Sequence, residues 1–139
     1  MSVSGPLRSM PPGAGVEPPE LSLILSQERI NDYAEASGDH NPIHLDPDFA
    51  RAVGLPSTIA HGLLTMAAAA APLEQWSAEV AYVSRISCRF SAPVASGDRI
   101  SGQPQVRDAS AERVVLALEA RNGSGEPALT KAEMELRPL

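Results

Sequence analysis

Residues 62–71, "GLLTMAAAAA", are apolar on nearly every side of a helix. A helix with no polar face has to be covered by other elements, so the rest of the chain must wrap it. The spacing predicts a helix from about His61 to Trp76, with Pro72 bending or ending it. After Trp76 the hydrophobic period changes from helical to two. Ile86, Cys88 and Phe90 alternate with Arg85, Ser87 and Arg89. Val114, Leu116, Leu118 and Ala120 share one strand face, as do Ala128, Thr130, Ala132, Met134 and Leu136. "SGD" at 96–98 predicts a turn before a strand that restarts near Arg99, and "NGSGE" at 122–126 a hairpin connection. Upstream, "LSLIL" at 21–25 predicts a buried strand. A helix follows, capped by Ser26 and stopped at Gly38. In "DPDFARAVG", Asp46 caps a second short helix, Pro47 takes its first position and Gly54 ends it. One strand, then helices, then about four antiparallel strands around a buried helix make an α+β architecture.

A chain of 139 residues holds one core and is too short for two. The net charge of −6 argues against a nucleic-acid partner, which would call for a basic patch. The single cysteine, Cys88, allows no intramolecular disulfide and fits a reducing cytoplasm; it falls on an apolar strand face and is expected in the core. No apolar run reaches the roughly 18 residues of a membrane span. The first residues lack the apolar segment of a signal peptide. Residues 1–19 are rich in Pro and Gly and are expected to form a disordered arm, leaving 20–139 as one domain.

The polar exception is "SGDHNPIHLDP", Ser37 to Pro47, which packs two aspartates, two histidines, an asparagine and two prolines into eleven residues. Asp39 and His44 lie five positions apart. On a helix that offset turns them away from each other, and on a strand it sends them to opposite faces. A turn at Asn41-Pro42 brings them to one side, since Pro42 disfavours the helical region for Asn41 and fixes its own φ. The spacing is therefore compatible with a carboxylate and an imidazole meeting on one small ligand such as water. Spacing alone favours the plainer alternative, a capped, hydrogen-bonded connecting loop.

The stretch Tyr33 to Thr65, "YAEASGDHNPIHLDPDFARAVGLPSTIAHGLLT", resembles the signature of the MaoC-like, (R)-specific enoyl-CoA hydratases. The Asp-x-Asn-Pro-x-His core and the downstream His-Gly stand in the family's order. "GLPSTIAHGLLTM" and "RFSAPVASGD" are similar to actinobacterial (3R)-hydroxyacyl-acyl-carrier-protein dehydratase β subunits. The resemblance implies a hot-dog fold, an antiparallel sheet wrapped around one long helix, with two such domains side by side as a homodimer or as a heterodimer with a second hot-dog chain. It also implies water addition across a trans-2-enoyl thioester of coenzyme A or acyl carrier protein, or the reverse dehydration. Asp39 and His44 become the catalytic pair, and the backbone N–H of Gly62 the donor to the thioester oxygen. Unperturbed, Asp ionises near ~3.9 and His near ~6.5, so both accept a proton at neutral pH. No cofactor is implied.

Asn41 matches the motif asparagine, either holding the loop or simply forming the turn before Pro42. His61 is expected to brace or pack rather than to react. His40 is expected to be solvated, with Ser37, Gly38 and Asp46 as caps and turn. Zinc on His40, His44 and His61 would be conceivable, but no recognised metal spacing is present, so no metal is expected. Two other classes share the fold: a non-catalytic acyl-binding or scaffolding subunit, and a thioesterase. The set Asp39, His44 and Gly62 argues against the first, and the signature argues against the second.

Overall fold

The computed structural model describes residues 17–139. Most of the expected N-terminal arm lies outside them; of its described end, Pro18 is buried and its carbonyl accepts from the Gln103 side chain at 3.1 Å.

The elements are β1 (Leu21–Leu25), α1 (Gln27–Ser37), α2 (Pro42–Leu45), α3 (Pro47–Ala52), α4 (Gly62–Ser77), β2 (Ala81–Phe90), β3 (Asp98–Gly102), β4 (Gln105–Ala109), β5 (Val114–Ala117) and β6 (Leu129–Pro138). The short helices start and stop where capping chemistry directs. The Ser26 side chain accepts from Arg29 N–H, and Gly38, at φ 79°, closes α1 in the left-handed conformation that glycine adopts without steric cost. The Asp46 carboxylate caps α3 through the N–H groups of Asp48 and Phe49.

All pairings are antiparallel. β2-β6-β5-β4 form one sheet, and β1-β3 a second. β3 and β4 behave as two halves of one run broken at Gln103-Pro104. β4 pairs with β5, while Ser101 of β3 exchanges both backbone hydrogen bonds with Arg121, just beyond β5. The effective order is therefore β1, β3/β4, β5, β6, β2. The link after β5 is the expected tight turn: Asn122 Oδ1 accepts from Ser124 and Glu126.

The core lies between this curved sheet and α4. Leu73 of the helix, Leu116 of β5, Met134 and Leu136 of β6 and Ile100 of β3 are completely buried, each such side chain contributing about 1.5–3 kcal/mol. This is the hot-dog arrangement, a sheet wrapped on a helix.

Two expectations change. The helix α4 is not buried all round: Leu63, Ala67 and Ala71 are exposed, because one sheet covers only one of its sides. Its extent is close to the expected one, running through Pro72 to Ser77. The loss is one hydrogen bond, since proline has no N–H, and the Ser77 hydroxyl satisfies the Leu73 carbonyl at the last turn. In β6 the alternation slips. Lys131 sits at φ 48° in a bulge between the pairs Ser87–Glu133 and Arg89–Thr130. The extra residue moves Thr130 off the core face and brings Leu129 onto it.

Candidate active site

Gly38 turns the chain out of α1 and leaves Asp39 at the surface. From there a ladder of local bonds shapes the loop. Asp39 Oδ1 accepts from Asn41 N–H at 3.2 Å, and Asn41 Oδ1 accepts from Ile43 N–H at 3.1 Å. Asn41 is thus the N-cap of α2 with Pro42 as its first residue. What looked like a simple turn is a one-turn helix. It carries His44 inward, where the side chain is buried.

The imidazole of His44 is held from one side by main chain. Its Nδ1 lies 2.8 Å from the Ile59 carbonyl oxygen. A carbonyl can only accept, so Nδ1 carries the proton and the neutral ring keeps its lone pair on Nε2. The surroundings hold this arrangement in place. Gln27 donates to the His44 carbonyl at 2.8 Å and accepts from the Thr58 hydroxyl at 2.7 Å, while Ile59 N–H reaches back to the Ile43 carbonyl.

His61 completes the cluster. It is 2% exposed, its ring stacks on His44 with centroids 3.7 Å apart and planes 26° apart, and Tyr33 tilts against it at 4.7 Å. Its Nε2–H donates to the Asp39 carbonyl at 3.0 Å. Its Nδ1 is buried with no hydrogen-bond partner among the described residues, a condition that ordinarily costs about 1–3 kcal/mol. Asp39, His44 and His61 each bring one carboxylate oxygen or ring nitrogen to within 4.8 Å of the others. The two imidazoles do not suit one metal ion. Imidazole lone pairs lie in the ring plane, and two nearly parallel planes 3.7 Å apart cannot both aim at a point about 2 Å from each nitrogen.

His40, grouped with these histidines by sequence, points elsewhere. It is exposed and pairs with Glu35 at 3.1 Å, and the hydrogen bond to Glu35, then that to the Gly38 carbonyl, raise its pKa. Cys88 is half-buried against the core, and burial raises its thiol pKa, as suits a packing residue and not a nucleophile.

Gly62 begins α4 directly after His61, and among the described residues no side chain caps that helix. Its first N–H groups therefore lack intrahelical partners and sit at the positive end of a 16-residue dipole. A cavity of about 180 Å³ opens there, lined among others by Ile59, Gly62, Thr65 and Phe90. The Phe90 ring lies across Gly62, so close that a Cβ on Gly62 would stand 3.1 Å from it. Thr65, Phe90, Tyr33, Gln27 and the Ile59 carbonyl belong to the site's surroundings and were not singled out from sequence. Tyr33, Ile59 and Thr65 lie within the stretch from Tyr33 to Thr65, whereas Gln27 and Phe90 lie outside it and nothing local marks them.

The family model described as "MaoC like domain" matches residues 10–125. The chain belongs to the MaoC-like domain family. Among curated relatives, the chain is 43% identical over 77 residues to 3-hydroxyacyl-thioester dehydratase X of Mycobacterium tuberculosis, covering 55% of this chain and 26% of that one. It is 31% identical over 117 residues to 3-hydroxyacyl-thioester dehydratase Z of the same species, covering 76% and 78%. The chain spans about half or less of the length of several curated relatives it matches. Among solved structures, the (R)-hydratase from A. caviae involved in PHA biosynthesis superimposes with a TM-score of 0.77 at 25% identity, covering 90% of this chain and 98% of that one.

Proposed function

We propose that this MaoC-like chain catalyses the reversible syn hydration of trans-2-enoyl thioesters to (3R)-hydroxyacyl thioesters. The observation that carries the reading is the meeting of Asp39 with His44, beside a helix whose N-terminus is uncapped at Gly62. Adding water to the enoyl double bond develops negative charge on the thioester oxygen, and the Gly62 N–H stabilises it. The 180 Å³ cavity at Gly62 gives that carbonyl a place to sit, and glycine lets it approach the backbone. Water held between the Asp39 carboxylate and His44 Nε2 supplies hydroxyl to Cβ and a proton to Cα from one face. His44 is ready to accept because Ile59 holds its proton on Nδ1.

The substrate is a thioester of coenzyme A or of acyl carrier protein, and the working unit pairs two hot-dog domains, as a homodimer or with a second hot-dog chain. Supporting the pairing, β2 has a neighbour on only one side among the described residues and exposes Tyr82 and Phe90. Among the described residues no helix is long and apolar enough to cross a membrane. With a single free cysteine, the cytoplasm is the proposed compartment.

The test is hydration of crotonyl-CoA, followed by loss of the conjugated thioester and by chiral analysis of the product, with free coenzyme A measured alongside. Asp39→Asn and His44→Ala should each lower turnover by about 10²-fold or more. Hydrolysis without hydration would instead identify a thioesterase, and neither reaction would leave a binding or scaffolding subunit.

A further inference from the structure

His61 makes more contacts with the proposed machinery than a filler needs. One face lies on His44 and the ring also meets Tyr33 of α1. Its Nε2–H holds the main chain of Asp39, and its own backbone leads directly into Gly62. Asp39, His44 and Tyr33 are thus the titratable groups that meet it from the loop, from α2 and from α1. Packing alone would be served by a phenylalanine ring, which would leave no bare nitrogen buried as Nδ1 is here. What phenylalanine lacks is the N–H aimed at Asp39.

We propose that His61 is the positioning residue of the site: its ring face holds the His44 imidazole in the plane where Nε2 meets the water, and its Nε2–H sets the Asp39 backbone at the same distance from α4. The physical basis is that neither partner is fixed well alone. His44 has one side-chain hydrogen bond, about which its ring can swing, and Asp39 is exposed on a loop. Contact with a buried ring removes the first freedom, and a 3.0 Å bond to a rigid helix start removes the second. Because His61 is the N-cap of α4, one residue sets the spacing between the acid–base pair and the Gly62 donor. A reaction that needs three groups within tenths of an ångström is sensitive to such support.

The proposal rests on the hydration reading for its effect on rate, but not for its effect on the His44 ring. Two variants separate the contacts. His61→Phe keeps the face and loses the donor; His61→Gln keeps a donor for Asp39 and loses the face. Each is assayed for kcat and KM on crotonyl-CoA and for melting temperature, and ring ¹⁵N NMR reads the His44 tautomer in both variants and in the wild type. We expect kcat to fall at least tenfold in both with KM changed less than threefold. We expect His44 to show a single Nδ1–H tautomer in wild type and in His61→Phe, and an averaged tautomer in His61→Gln. A His61→Gln protein with wild-type kcat and one fixed tautomer would overturn the proposal, as would losses of kcat that merely follow losses of melting temperature. So would an averaged His44 tautomer in the wild type itself. If wild-type protein hydrates nothing, the functional reading fails, and the NMR comparison still decides the role of His61.

Discussion

A methyl group at position 62 would stand 3.1 Å from the Phe90 ring, tight but able to relax, because Phe90 is 53% exposed. Gly62 needs no positive φ, since it is the first residue of a regular helix. Gly62→Ala is therefore expected to melt within a few degrees of wild type. Its hydration rate should fall by about 10²-fold, the scale of losing one donor to a developing oxyanion, because the methyl and the displaced ring occupy the carbonyl's approach. Parallel melting curves and crotonyl-CoA kinetics test both halves. The alanines further along α4 divide differently. Ala70 is buried in the core, whereas Ala67 is exposed on a groove of about 420 Å³ that includes Leu23, Leu25, Tyr33 and Leu64. Ala70→Leu should destabilise by about 1–3 kcal/mol through overpacking and lower activity equally on short and long acyl chains. Ala67→Leu should leave stability within about 0.5 kcal/mol, so any change of chain-length preference belongs to that exposed flank. Denaturant unfolding and activity on four- to twelve-carbon thioesters separate the two.

Among the strands, the sheet's outer face carries its own electrostatics. Glu135 of β6 accepts from the Ser84 hydroxyl at 2.7 Å and from Arg137 and Arg113 at 3.0 and 3.1 Å, and these bonds, Ser84 first, lower its pKa to about 2. A folded-state pKa below the ordinary value of 4.5 gives stability that is complete above that value and is lost as pH falls toward 2. Glu135→Gln should therefore melt lower than wild type at pH 7, with the gap closing between about pH 4.5 and 2; a gap independent of pH would refute the assignment. The elements show where sequence was sufficient. Ser26, Gly38, Asp46 and Gly54 marked helix ends because capping is settled within a few residues. The face Val114, Leu116, Leu118 and Ala120 was readable because strand alternation is local, and all four are buried. Val115 is buried as well, since the far face of β5 is shielded by neighbours that its own sequence does not name. The slip at Lys131 depends on a register set between β2 and β6, segments far apart in the chain. In the site, the meeting of Asp39 with His44 was one of two open readings from spacing, and the resemblance favoured it. The support from Gln27, Thr58 and Ile59 was not legible, because only the folded chain brings those segments to His44.

At the level of the whole molecule, the edge of β2, without a second strand neighbour among the described residues, and the exposed Tyr82 and Phe90 are a surface open to pairing. Sedimentation of the chain expressed alone is expected to give a species near twice 14.6 kDa, and Tyr82→Lys should shift it toward monomer. A wild-type monomer that gains activity only on mixing with a second hot-dog chain would support the heterodimer instead. The Ile59 carbonyl has a different kind of reach. It fixes the proton on His44, yet it belongs to the polypeptide backbone, and every one of the 20 encoded amino acids supplies the same oxygen at that place. A saturation library covering all 139 positions would thus score position 59 by its side chain, and by the N–H to Ile43 that proline would remove, but never by that oxygen. The chemical contribution would surface only on editing the main chain, for example by replacing the Ile59–Ala60 amide with an ester, whose carbonyl is a weaker acceptor. The group that prepares the proposed base is therefore inherited with the fold, and ordinary genetics can move it but not delete it.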